Sequence, residues 1–114
     1  MGGGYDNAAF ATGSAILGGN SNRAEGERSV VVGGLWNEAL GTEAAVVGGI
    51  ENVAGGELAA ICGRNTNEAQ GLYSTVSGGR FNDAVGDYST VSGGGNRVAS
   101  GEVDWVAGSL FEDF

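Results

Sequence analysis

A glycine stands at every fifteenth position from Gly3: Gly18, Gly33, Gly48, Gly63, Gly78, Gly93 and Gly108 continue the series without insertion or deletion. Self-similarity at a fixed period constrains a fold more than any other sequence signal. A second glycine follows at Gly4, Gly19, Gly34, Gly49, Gly79 and Gly94, and Arg64 and Ser109 break that column. Asn recurs at Asn7, Asn22, Asn37, Asn52, Asn67 and Asn82, then gives way to Arg97. Ala holds Ala9, Ala24, Ala39, Ala54, Ala69, Ala84 and Ala99. Another glycine column runs from Gly26 to Gly101, with Ala11 in the first copy. A branched residue closes each unit: Ile16, Val31, Val46, Ile61, Val76, Val91 and Val106. The repeat is G-G-x-x-N-x-A-x-G-x-x-S/A-x-V/I-x, and seven copies span residues 3–107.

Fifteen residues are too few for a two-helix repeat, and two or three glycines per unit would each cost a helix about 1 kcal/mol. The pattern within a unit is alternation. Asn, Ala and Gly lie two apart, as do Ser and Val, and residues two apart share one face of a strand. Each unit therefore reads as one turn of a parallel solenoid with two short strands. The recurring columns face inward, the variable ones outward, and glycines make the two corners. Stacking puts like on like at about 4.8 Å, roughly 30 Å for the whole repeat. Residues 1–107 form the repeat domain. Residues 108–114 read as a capping tail, with Trp105, Leu110, Phe111 and Phe114 suited to covering the last turn. The Asn ladder reads as a corner in which each amide is paired with a neighbour or with turn backbone.

The chain has 114 residues, 24 Gly and no Pro, which excludes collagen. Its net charge of -9 disfavours nucleic acid and anionic membranes as partners. No apolar segment is long enough to span a bilayer, so no membrane insertion is expected. The first ten residues lack the basic and apolar regions of a secretory signal. The expected location is the cell surface if the chain is a fragment of an exported protein, and the cytoplasm if it is complete.

One turn buries only a Val or Ile, an Ala and a Ser or Ala, a thin interior for a lone chain of this size. The outward neighbours of the branched column are also apolar: Ala15 and Leu17, Val30 and Val32, Ala45 and Val47, Ala60 and Cys62. A strand apolar on both faces is covered on both faces. The other strand carries Arg23, Glu25, Glu38, Glu68, Gln70 and Asp83 outward, which reads as a solvated face. Self-association is the expectation, with Leu17, Val30, Val32, Val47 and Cys62 at the interface.

The segments Ser29–Gly33, Ser74–Gly78 and Ser89–Gly93, with Ala24 and Gly26, Ala69 and Gly71, and Ala84 and Gly86, resemble the repeats of the YadA-like heads of trimeric autotransporter adhesins. The resemblance covers about nine-tenths of the chain. It implies an all-β, left-handed parallel β-roll, a homotrimer, and an adhesive module that meets extracellular matrix, glycan or a cell surface. The double glycine and the Asn column depart from that family's pattern. A free-standing ligand-binding trimer, with sites at protomer boundaries, is the alternative.

Catalysis is not expected. Without His or Lys, a Ser nucleophile lacks an ordinary base, and Cys62 reads as a packed thiol. No cofactor or metal is expected. The nine-residue calcium repeat does not match a fifteen-residue period. An ice-binding Thr array would be limited to Thr75, Ser77, Thr90 and Ser92. Large residues fall in corner columns, and Trp36, Tyr73, Phe81 and Tyr88 are the candidates for contact with a partner.

Overall fold

A computed structural model describes residues 3–107. Its strands come two per turn: β1 (Ala8–Ala9) and β2 (Ala15–Ile16), β3 (Arg23–Ala24) and β4 (Val30–Val31), β5 (Glu38–Ala39) and β6 (Ala45–Val46), β7 (Val53–Ala54) and β8 (Ala60–Ile61). Three further turns follow: β9 (Glu68–Ala69) and β10 (Thr75–Val76), β11 (Asp83–Ala84) and β12 (Thr90–Gly93), β13 (Val98–Ala99) and β14 (Trp105–Ala107). Odd-numbered strands form one seven-stranded sheet and even-numbered strands another. Every pairing is parallel, and the register is the repeat itself: Ala24 beside Ala39, Val31 beside Val46. A third ladder of single bridges runs along the first corner through Tyr5, Asn20, Leu35, Ile50, Asn65, Arg80 and Gly95. The all-β parallel solenoid expected from the repeat is what the chain forms. The tail expected to cap it, with Leu110, Phe111 and Phe114, lies outside the described residues.

Between the sheets lie the recurring columns. Ile16, Val31, Val46, Ile61, Val76 and Val91 are fully buried, facing Ala24 to Ala99 from the other sheet. Each buried Val or Ile contributes about 1.5–3 kcal/mol. Asn22, Asn37, Asn52, Asn67 and Asn82 are buried beside them. Each Asn side-chain oxygen accepts the backbone N–H of the next turn, as Asn37 does from Asn52 at 2.9 Å. The amide nitrogen donates to a carbonyl of its own corner and to one in the next turn, as Asn37 does to Gly33 and Gly49, both at 2.9 Å. The inward amide is thus fully paired, which is the condition for burying it.

The glycine columns answer to two different demands. Gly34 has φ +94, and a Cβ there would lie 2.2 Å from the Gly49 carbonyl oxygen. Gly41 has no such φ, yet a Cβ would lie 2.0 Å from the Gly56 oxygen. The Gly34 column needs both backbone freedom and closeness; the Gly41 column needs closeness alone. Arg64 occupies a slot of the first kind, at φ 79, a strained conformation of order 1 kcal/mol or more. The surrounding backbone gives way. Gly63 rotates to φ +129, and the bond from Asn52 Nδ2 to the Arg64 carbonyl stretches to 3.3 Å.

The last described turn carries Asp104 at its second corner. In earlier turns the second-corner glycine donates to the next turn's Ala, as Gly86 does to Ala99 at 3.1 Å. Gly101 instead donates to the Asp104 carboxylate at 2.6 Å. Asp104 stands in the Ser/Ala column, and its carboxylate takes the amide that in earlier turns donates to the next turn's Ala. Trp105, expected in the cap, instead continues the outward row of the even-numbered sheet beside Thr90, 70% exposed, with its ring N–H donated to Ser92 Oγ at 2.6 Å.

Candidate functional site

Two sheet faces and two corners hold the residues singled out by the sequence. The first is the outward face of the even-numbered sheet. Leu17, Val32 and Val47 are 58%, 41% and 51% exposed, and Cys62 continues their row. Val30 pairs with Ala45 and Ala45 with Ala60 alongside, half-buried. The fifteen-residue register aligns these residues, so four turns present one apolar strip. Toward the C-terminus the row turns polar with Ser77 and Ser92.

The outward face of the odd-numbered sheet is mixed rather than uniformly charged. Arg23 pairs with Glu25 and approaches Glu38 at 3.9 Å, but Phe10, Leu40, Val85 and Val98 are also exposed there. Asp83 stands beside Glu68 in register. Gln70 Nε2 bridges them, donating to Glu68 at 2.6 Å and to Asp83 at 3.1 Å. Partial burial, and then the Glu68 charge, raise the Asp83 carboxyl above its usual range, against the lowering effect of the Gln70 bond.

The corner aromatics do not form one site. Trp36 and Phe81 lie on the Asn corner, three turns apart, at φ 55 and 56. Tyr73 and Tyr88 lie on the other corner, in adjacent turns, at φ 57 and 59. Their rings stack at 5.2 Å with an interplanar angle of 6°. Positive φ is uncommon for bulky residues; here the corner hydrogen bonds impose it, such as Trp36 N–H to Asn20 at 3.1 Å. Trp36 also borders a groove of about 580 Å³ with Ser21, Arg23, Glu38, Glu51, Val53, Thr66 and Glu68.

A second groove, of about 610 Å³, follows the Asn corner over the last three turns. Arg64, Asn65, Gly79, Arg80, Gly94 and Gly95 line it. Sequence reasoning missed it, although its signal was present: Arg64 interrupts the glycine column. Among the described residues, no three His, Cys, Asp or Glu side chains are grouped to hold a metal ion.

The fold and its surfaces define a class, the parallel β-solenoid repeat proteins. No protein-family model matches this chain, and no curated protein matches it.

Proposed function

We propose that this chain is a non-enzymatic structural or adhesive head module, a left-handed homotrimeric β-roll like the YadA-like heads that its repeat resembles. The observation that carries the proposal is the exposed row Leu17, Val32, Val47 and Cys62. A sheet that is apolar inside and outside calls for cover on both faces. Three copies around one axis give each strip an identical strip as neighbour, the closed symmetry usual for homo-oligomers. The remaining surface then faces outward three times over, and a weak contact repeated on a post gains through avidity. The expected partner is itself repetitive: a matrix fibre, a surface glycan or a neighbouring cell.

The alternative, a stand-alone trimeric ligand-binding protein, draws on the groove beside Trp36, whose polar and aromatic lining suits a small ligand. One experiment weighs both. The purified chain is sized by light scattering and then applied to arrays of glycans and matrix proteins. Trp36→Asn and Tyr73→Leu, residues already used at those columns by Asn96 and Leu58, are applied in parallel. A trimer that binds the array, and loses binding in a corner variant, supports the adhesive reading. A monomer mass at micromolar concentration sinks the assembly, and a trimer that binds nothing on the array removes the adhesive role.

A further inference from the structure

Five arginines serve a chain with a net charge of -9. Two are engaged with carboxylates: Arg23 with Glu25, and Arg28 with Glu43 at 2.6 Å and Glu27 at 2.7 Å. Arg64 and Arg80 make no ion pair among the described residues, and they share one groove. Their proximity is built by the fold. Asn65, the neighbour of Arg64, is bridged to Arg80 in the adjacent turn. The groove's side-chain amide is oriented by its neighbour: Asn65 Oδ1 accepts the Thr66 hydroxyl at 2.7 Å, which leaves the Asn65 amide nitrogen as its open end. Among the described residues no backbone carbonyl accepts from the amides of Gly79 or Gly94. Arg64 holds its place at φ 79 where the other turns have glycine. A strained residue that the fold would rather replace is a pointer to function.

We propose that this groove binds a small oxygen anion of one or two charges, free or carried on a sugar as a carboxylate, sulfate or phosphate ester. Two planar guanidinium groups match the paired oxygens of such an anion. The lining contains no apolar side chain larger than glycine, so a hydrophobic ligand would find no contact there. A long polyanion is disfavoured by the charge of the whole chain, whereas a compact anion meets only the local field. The site lies within one chain and stands independently of the assembly.

The test uses the full chain and amide NMR shifts of Gly79, Gly94 and Gly95. Sodium sulfate, sodium phosphate and sodium glucuronate are titrated separately, with sodium chloride holding ionic strength constant. Saturable shifts confined to this corner are expected. Arg64→Gly with Arg80→Asn weakens binding by about tenfold or more while the fold persists, because both replacements already occur at those columns in Gly49 and Asn65. Arg28→Gln, with a smaller but like-signed change in charge, alters binding by less than about twofold. Glucuronate binding more tightly than sulfate and phosphate assigns a sugar-borne anion, and the reverse order a free one. The proposal is overturned by shifts that do not saturate, by a double variant that binds like the parent, or by an equal loss in Arg28→Gln.

Discussion

Asn52 donates its backbone N–H to the side-chain oxygen of Asn37 at 2.9 Å, one full turn away along the solenoid. The same relation links Asn67 to Asn52 at 2.9 Å. Replacing Asn52 with Leu leaves the Asn67 N–H and the Gly48 carbonyl without their partner, and takes one of two donors from the Arg64 carbonyl, which keeps the Ile50 N–H at 2.6 Å. Each buried group orphaned this way costs about 1–3 kcal/mol. Urea unfolding of Asn52→Leu should show a loss of at least that size, and a neutral result would mean the ladder is not what holds the corner.

The Ser column gives the opposite sign. The hydroxyls of Ser29, Ser74 and Ser89 are buried without a hydrogen-bond partner. Ala44 and Ala59 fill the same column, equally buried. Ser74→Ala removes an unpaired polar group at almost no change in shape, and should stabilise by about 1 kcal/mol. A measured loss would reveal a partner for the hydroxyl.

The two glycines of one corner part company. No atom lies within 4 Å of a Cβ added at Gly33, whereas at Gly34 the added atom meets a backbone oxygen at 2.2 Å and φ is +94. Gly33→Ala should be neutral or stabilising, by up to about 1 kcal/mol through the unfolded chain. Gly34→Ala should cost about 2 kcal/mol or more from strain and collision together. Thermal melting of the pair decides; equal effects would undo the distinction.

These contrasts mark what the repeat made legible. Interior columns could be read because a parallel ladder sets each residue beside its own copy, so the inward face must recur. The left-handed columns could not be read. Asp6, Ser21, Trp36, Glu51, Thr66, Phe81 and Asn96 share positive φ with no common chemistry; tertiary hydrogen bonds impose the conformation. The Asp104 contact was hidden because it departs from the column: Asp104 stands where other turns carry Ser or Ala, and accepts from the Gly101 amide. The Arg64 and Arg80 groove needed the bridge of Asn65 to Arg80, which sets Arg64 near Arg80 although the two arginines stand in different columns of adjacent turns. The mixed character of the odd-numbered sheet's outer face was missed because the charged positions drew the reading away from Phe10, Leu40, Val85 and Val98.

Asp83 should give the fold a measurable pH dependence. Its native carboxyl is raised, by burial first and by Glu68 second. A carboxyl raised in the native state binds its proton more readily folded than unfolded. The stability it supplies is present below the ordinary carboxylate range and is lost as the pH rises through the raised native value. Asp83→Asn should therefore melt higher than the parent at about pH 7, with the difference shrinking toward about pH 3, where the carboxyl is protonated in both states. A constant difference across that range would assign the effect to packing.

The apolar strip yields the last expectation, and Cys62 supplies its probe. Cys62 is exposed in the single chain, in the same outward row as Val47. If three strips face one axis, that thiol is covered, and a polar alkylating reagent should label it slowly in the native protein and quickly in urea. Val47→Asp puts three carboxylates close to the same axis, a heavy cost when desolvated. Inside one chain the same change is mild, because Val47 is 51% exposed and points away from the core. The variant should therefore fall to the monomer mass, label Cys62 rapidly, and retain its β-sheet circular dichroism. Dissociation with folding intact separates an interface residue from a core residue. Rapid labelling of Cys62 in the parent and an unchanged mass in Val47→Asp would instead place any assembly surface elsewhere, with the mixed face around Phe10, Leu40 and Val85 the next to be tested by the same substitution.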